Sequence, residues 1–351
     1  MEAGDQNVAF ISLCCTNVHG FMAGVPLAAL KADADLVMGL LRQYQQDQVL
    51  CIFGPWREMI MDLSSSKSAG ELQWRDEAFV EARKKSVHSF AALWTYMGRL
   101  HTSYFVGDMR LADACRKVSL WQRKLDFSFS AMTMRPFMSC LIAVAIYRET
   151  GSRRHRKDAV NEFKLMRTFV KWGGINIIQR LQLMEAEFAS LSETKNEGFT
   201  QTKALYDKAI KSASRSGYLS DAALANELCG EFCARHRDIE WAKHYISRSY
   251  ELCKTWGCAV KLNLLSEKWG SLIAVSDSHQ ASLSSFKIRF DLFSTRQDLE
   301  RNFSRRTTKS EKIDPSSPHK ASTHSQQFTS SSQTFTGSSM FTSIEEKINE
   351  E

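Results

Sequence analysis

Long apolar runs and prolines are what this 351-residue sequence has least of. No window reaches about eighteen uninterrupted apolar residues, the length that a membrane-spanning helix requires, so no membrane span is predicted. The first ten residues, MEAGDQNVAF, lack the basic segment and apolar run of a secretory signal, which favours a cytoplasmic protein. Only five prolines interrupt the chain, and this scarcity is typical of a protein built mostly from α-helices.

The motifs of phosphate-transfer enzymes are also missing. No GxxxxGKS or GxxxxGKT stretch is present, although such a glycine-rich loop is how many ATPases hold phosphates on backbone amides. The protein-kinase catalytic loop is absent as well, and no histidine is followed by an acid and then a proline, as in a phosphoacceptor site. The chain is therefore predicted to be non-enzymatic, with no catalytic residue and no cofactor.

Neither sign of charge dominates, since 46 lysines and arginines accompany 39 acids and leave a formal charge of +7. The basic residues are scattered among the acids, so no nucleic-acid partner is predicted. The nine cysteines are odd in number, and most lie among apolar residues at helical spacing. This pattern is typical of buried thiols in a reducing compartment and not of a disulfide framework.

What the sequence does have is helical periodicity. In residues 223–250, Leu224, Leu228 and Phe232 form one apolar stripe, and a second stripe begins near Ala242 after a polar link at 235–240. Gly257 follows the second stripe, where a left-handed glycine commonly ends a helix. The two stripes predict a helical hairpin.

A small residue near the start of the second helix marks a repeat of this hairpin. The marker positions are Ala29, Ala112, Ala159, Thr202 and Ala242. Their spacings are 83, 47, 43 and 40 residues, and 83 is close to two units, so the period is that of paired-helix solenoids. Small side chains there let helices approach closely, and stacked hairpins share one core. We predict an all-α, tetratricopeptide-like helical-hairpin solenoid over residues 4–273, with a groove for a partner protein.

Residues 274–351 differ in composition from the rest of the chain. Serine and threonine occupy fifteen of the twenty-eight positions at 316–343, and such a segment has too little apolar surface to offset its ordering entropy. We predict a low-complexity, mostly disordered linker or tail. Alternating apolar and charged residues at 286–292 indicate either a short strand or an apolar stretch of linker.

Residues 167–269 carry motifs that are more specific than periodicity. LYDKAI stands at 205–210, DAALANEL at 221–228 and WGC at 256–258. These motifs resemble the tetratricopeptide-like helical-repeat segment of multidomain signalling proteins. In that family a serine/threonine-kinase-like domain and an AAA-type ATPase precede the repeats, and a GAF domain and a histidine kinase often follow. The resemblance is weaker over 4–164. It adds four structural positions of the repeat, namely Tyr206, Gly230, Trp256 and Gly257.

The resemblance implies a non-catalytic scaffold that couples neighbouring signalling domains or binds a protein partner. The family's ATPase and kinase domains have no counterpart in these residues, so their activities are not expected of this chain. Two alternatives stay open. One is a divergent ATP-binding kinase or ATPase fragment whose motifs have drifted, and the other is a regulator that contacts nucleic acid through its basic residues. Nothing in the sequence indicates the oligomeric state.

Cysteines and histidines lie close enough in sequence to raise the question of a metal site. Cys229 and Cys233 coincide with the first apolar stripe, and Cys253 and Cys258 lie a hairpin away, so core thiols and no metal are predicted. Histidines within helical segments, among them His101, are interpreted as structural because no partner for nucleophilic catalysis can be assigned.

Two further patterns allow a structural and a functional interpretation. The basic run at 153–157 is interpreted as a solvated loop, with a nuclear-import signal or an anionic-lipid contact as the alternative. Trp172 and Trp256 each precede a glycine at a predicted helix end. A capping contact is the structural interpretation and a binding platform the functional one.

Overall fold

The computed structural model describes residues 6–67, 89–121, 129–191 and 196–273. The chain divides into two units, Met1–Leu283 and Ser284–Glu351, and every described residue belongs to the first unit. The predicted tail and the alternating stretch at 286–292 lie outside the described residues.

The described residues form α-helices joined by short turns, and they contain no β-strand. The helices are α1 Gln6–Met22, α2 Leu27–Gln43, α3 Asp47–Ser64, α4 Ser89–Phe105, α5 Met109–Trp121, α6 Phe129–Thr150, α7 Arg153–Lys171, α8 Ile178–Ala189, α9 Asn196–Ser216, α10 Leu219–Arg235, α11 Ile239–Trp256 and α12 Ala259–Trp269. The single-turn 3-10 helix Ile175–Ile177 precedes α8, and another, Gly270–Leu272, follows α12. None of these helices combines the length and apolar character that crossing a membrane requires. The predicted all-α fold class is confirmed.

Consecutive helices pack against each other as hairpins. The pairs with extensive contacts include α4 with α5, α6 with α7, α8 with α9, and α10 with α11. The first helices of these pairs, which we call the inner helices, also contact one another in series from α4 through α6 and α8 to α10. This order is compatible with a solenoid of stacked hairpins.

Polar side chains join each hairpin to the next at a constant separation in sequence. The hydrogen bonds that span 42 residues include those from Arg116 to Asp158, from Arg148 to Ser190, and from Gln179 to Asp221. A constant separation places equivalent positions of successive hairpins side by side. It is close to the 40 to 47 residues that separate the later marker positions in the sequence.

Local capping sets the ends of α11. The carboxylate of Asp238 accepts a hydrogen bond from the amide of Trp241 at 3.2 Å. At the other end, Gly257 has φ of +84°, and the amides of Gly257 and Cys258 both donate to the carbonyl of Cys253, at 2.9 and 3.1 Å. Glycine adopts this left-handed conformation cheaply because it lacks a Cβ, so the chain turns sharply here into α12.

Long stretches of two inner helices, α6 and α10, are enclosed by protein. Residues 219–230 of α10 and 133–144 of α6 are buried without interruption, which means that every face of these helical turns is covered. A helix that is covered on every side offers no surface along which a partner can lie. The partner groove predicted from the sequence is therefore already filled along these helices.

The N-terminal helices cover part of the surface of the inner helices. α1 contacts α6, α3 contacts both α4 and α12, and the carbonyl of Met22 in α1 accepts a hydrogen bond from Arg180 in α8 at 3.3 Å. The ring of Phe21 packs against Trp56 of α3 and Trp256 of α11, with ring centres 5.2 and 5.7 Å apart. These contacts bring residues from the beginning and the end of the described chain into one core.

Gly230 tests the close approach of α10 and α11. A Cβ at this position would lie 2.7 Å from Cγ1 and 2.8 Å from Cδ1 of Ile246, so Gly230→Ala would push the two helices apart. Overpacking of this kind costs about 1–3 kcal/mol, against the roughly 1 kcal/mol that alanine gains in helix propensity. We expect a net loss in the free energy of unfolding, measured by urea denaturation.

Gly39→Ala is the matched control for this substitution. Gly39 lies on an exposed face of α2, and no atom outside its own helix lies within 4 Å of its Cβ position. The substitution should stabilise the protein by roughly 0.5–1 kcal/mol, since only propensity changes. Stabilisation of similar size at both glycines would contradict the close approach at Gly230.

The buried link between α8 and α10 supplies a second test. Asp221 accepts hydrogen bonds at 2.9 Å from Gln179 and Arg180, and both ionised side chains are less than a tenth exposed. Asp221→Asn keeps the shape but removes the charge that balances Arg180. Because an unpaired buried charge is costly, we expect a loss of about 3 kcal/mol in the free energy of unfolding.

Asp35→Asn applies the same substitution to an exposed ion pair. Asp35 lies 2.6 Å from Arg57, but both side chains are substantially exposed to water. Exposed pairs contribute less than about 1 kcal/mol, so this variant should unfold nearly as the parent does. Equal losses for the two variants would show that burial of the Asp221 pair does not determine its contribution.

Candidate functional site

The basic run at 153–157 is helical, so its prediction as a loop is wrong. α6 ends before Gly151, whose φ is +68°, and α7 begins two residues later at Arg153. Arginine and lysine are good helix formers, and the buried face of α7 packs on α6. The residues of that face are Ala159, Glu162, Met166 and Phe169. Packing of this face on α6 therefore makes the run helical, although its composition alone suggested a loop.

Three of these cations border a cleft of about 710 Å³ between the α6/α7 and α8/α9 hairpins. We call it the cationic cleft, and its lining residues are Tyr147, Arg153, Arg156, Lys157, Val160, Phe188 and Leu191. Four of them come from α7 at positions i, i+3, i+4 and i+7, which is one face of a helix. The cleft thus has a cationic side contributed by α7 and an apolar side shared with the end of α8.

The other polar groups at the start of α7 are directed to α5. Asp158 accepts a hydrogen bond from Arg116 at 3.0 Å, and Nε2 of His155 lies 3.3 Å from both carboxylate oxygens of Asp113. Burial opposes ionisation of Asp113, but hydrogen bonds from Lys117 and Arg116 hold its pKa below the usual value. These acids are therefore already committed to the link between α5 and α7.

The three cations that line the cleft are, by contrast, not paired with an acid of the described residues. Within the described part of the chain, no carboxylate lies within ion-pair distance of Arg153, Arg156 or Lys157, and all three are exposed. Guanidinium and ammonium groups bind carboxylates and phosphates through charge-assisted hydrogen bonds. The cleft is chemically suited to an anion that also carries an apolar part.

Seven of the nine structural positions predicted from the sequence are buried. They are Ala112, Ala159, Thr202, Tyr206, Gly230, Ala242 and Trp256. Gly257 forms the exposed turn after α11. Ala29 is exposed, unlike the other small markers, because α2 begins three residues after Gly24, whereas α5 begins two residues after Gly107. Leu30 takes the buried place instead.

These positions do not converge on one site. Gly230 faces Ile246, and Tyr206 packs on Phe232 and donates a hydrogen bond to Glu187. Trp256 packs in the aromatic core instead of forming a binding platform. Their arrangement is that of contacts between helices at several levels of the array.

The predicted core cysteines are buried in α10, in α11 and at the start of α12. Burial raises the pKa of Cys258 to about 12 and that of Cys253 well above its usual value, so both are thiols at neutral pH. In the residues that the structure describes, no three histidine, cysteine, aspartate or glutamate side chains are grouped to hold a metal ion.

His101 is a buried group of α4. Its Nδ1 donates a hydrogen bond to the carbonyl of Met97 at 2.9 Å, and the ring of Phe21 lies 6.1 Å away. Burial lowers the pKa of His101 to about 4, so the imidazole is neutral at physiological pH. These surroundings are those of a packed core histidine.

The apolar side of the cationic cleft was not anticipated from the sequence. The part of the cleft that α7 contributes could have been found from the spacing of Arg153, Arg156, Lys157 and Val160, which is the spacing of one helix face. The contributions of Phe188 and Leu191 carried no such signal, because they depend on how α8 packs beside α7.

Comparisons with known proteins returned no match among protein-family models, curated proteins or solved structures.

The neutral state of His101 predicts a dependence of stability on pH. Its pKa is about 6.5 in the unfolded chain and about 4 in the folded protein, so the unfolded chain takes up the proton first as pH falls. Between pH 7.5 and 5 this should remove about 2 kcal/mol of unfolding free energy. In the His101→Gln variant, the free energy of unfolding should fall by about 2 kcal/mol less than in the parent over this pH range, as measured by urea denaturation at both pH values. A variant that follows the parent would show that His101 is not the source.

Proposed function

We propose that this chain is a non-catalytic helical scaffold that couples signalling domains in the cytoplasm. We further propose that it binds its partner through an apolar surface at the α7–α8 turn, formed by Trp172, Ile175 and Ile178 and called the turn patch. These side chains are 51, 73 and 39% exposed. Large apolar residues exposed together mark protein interaction sites, and this observation carries the proposal.

The filled interior supports an external binding surface. Inner helices that are enclosed by α1, α3 and their own neighbours leave no groove for a partner along α6 or α10. A partner protein must therefore contact the turns or the outer faces. The turn patch lies at such a turn, where the chain passes from one hairpin to the next.

The nature of the partner rests on the resemblance seen in the sequence. The motifs at 205–210, 221–228 and 256–258 resemble repeats that stand between ATPase and histidine-kinase domains in larger signalling proteins. We therefore propose a partner or adjoining domain of that kind. Its aromatic or aliphatic side chains would cover Trp172, since buried tryptophans supply much of the binding energy at protein interfaces.

Site-specific photo-crosslinking in cells of the source organism tests this proposal. A benzophenone amino acid replaces Ile175 in one variant, and in a matched control it replaces Lys164, an exposed residue in the middle of α7. The expected result is an adduct with an ATPase or histidine-kinase protein from position 175 and none from position 164. Identical adducts at both positions, no adduct, or an adduct between two copies of this chain would contradict the proposed partner.

Direct binding to the identified protein provides the quantitative step. Trp172→Ser should weaken the affinity by about 2 kcal/mol, roughly thirtyfold, if the tryptophan is a central contact. Lys164→Ser should leave the affinity unchanged. If the purified chain hydrolyses ATP, and Trp172→Ser leaves that activity unchanged, the ATPase alternative is favoured instead.

A further inference from the structure

The cationic cleft combines two kinds of surface that one ligand would have to match. Arg153, Arg156 and Lys157 place three positive charges on one side, and Val160 and Phe188 contribute to the apolar side. A volume of about 710 Å³ lies within the range of small-ligand sites, roughly 300–1,000 Å³. A simple inorganic anion would leave the apolar side unused.

The start of α7 is unfavourable for so many cations. Helix N-termini carry partial positive charge, and acids are the residues that usually stabilise them. α7 has no acid in its first turn, and Ser152 makes no capping bond to the backbone, because its hydroxyl pairs with Nδ1 of His155 at 2.8 Å. A bound anion would relieve both the repulsion among the side chains and the unfilled amides of the first turn.

We propose that the cationic cleft binds a phosphate monoester attached to an apolar or aromatic group. The phosphate, with nearly two negative charges at neutral pH, pairs with Arg153, Arg156 and Lys157. Its organic part packs against Phe188, Val160 and Leu191, and Tyr147 stands at the same cleft with a hydroxyl that can donate to a phosphate oxygen. A carboxylate would supply half the charge and leave part of the cationic side unpaired.

This site is independent of the proposed partner surface. The cationic cleft is lined by α7 from Arg153 to Val160, and the turn patch begins at Trp172, so about 18 Å of helix lies between them. Failure of one proposal therefore leaves the other intact.

Calorimetric titration of the purified chain at pH 7.5 and constant ionic strength tests the proposal. Phenyl phosphate carries both the anion and the aromatic ring. Inorganic phosphate is the probe for the anion alone, and benzyl alcohol is the probe for the ring alone. We expect phenyl phosphate to bind saturably and about tenfold more tightly than either simpler probe. Equal binding of phenyl phosphate and inorganic phosphate would overturn the proposal, since the apolar side would then take no part.

Two charge variants locate the site. The double variant Arg156→Gln/Lys157→Gln should weaken phenyl phosphate binding at least about tenfold, because two charge-assisted contacts are lost. Arg154→Gln is the matched control: it removes one charge from the same run, but Arg154 does not line the cleft, so we expect a change of less than about twofold. Equal weakening by both variants would show a diffuse basic surface and overturn the assignment.

Two further measurements define the ligand. Lowering the pH from 7.5 to 5 should weaken phenyl phosphate binding, because the second phosphate proton binds with a pKa near 6. If a phosphoserine–leucine dipeptide binds as tightly as phenyl phosphate, the natural ligand is a phosphorylated protein segment. If only phenyl phosphate binds, the natural ligand is a small molecule. If neither monoester binds, the proposal is wrong.

Discussion

A single buried arginine holds the centre of this helical array together. Arg180 in α8 pairs with Asp221 of α10, donates to the carbonyl of Met22 in α1, and lies over the ring of Phe137 in α6, 5.4 Å from its centre. Arg180 thereby connects α8 to α10, to α6 and to the end of α1. Because a buried charge without its partner is costly, another register of these four helices would leave Arg180 or Asp221 unpaired. The polar link thus selects one arrangement among many that apolar packing alone would tolerate.

The same principle recurs at other levels of the array. Arg135 of α6 contacts both carboxylate oxygens of Glu162 in α7, at 3.0 and 3.1 Å, and Lys261 of α12 donates to Glu227 of α10 at 2.8 Å. All four side chains are almost completely buried. Apolar contacts supply the driving force for packing, whereas these pairs decide which helices meet and at what height. A paired-helix stack whose hairpins are similar in sequence needs such selection, because adjacent units could otherwise exchange neighbours.

The parts that were predictable from the sequence are those set by local chemistry. Helix periodicity gave the all-α class, and a glycine after an apolar stripe indicated the left-handed turn at Gly257. Ala29 shows the limit of spacing arguments, since one extra residue before α2 moves it to the surface and brings Leu30 inward. The filled groove was not predictable, because it depends on contacts such as Arg180 with Met22, 158 residues apart in sequence. The basic run was misread for a related reason, as its helical state is fixed by packing of residues further along α7.

The closed interior also limits how the proposed scaffold can act. Coupling by conformational change requires two states that a ligand distinguishes. α7 carries a candidate site at each end, yet its middle is tied to α6 by the buried pair of Arg135 and Glu162, and its beginning is tied to α5 through Asp158. Sliding α7 would break these pairs and expose or bury charge at a cost of several kcal/mol. Under the proposed function, the chain therefore acts best as a spacer that holds its ligands at a fixed distance along α7.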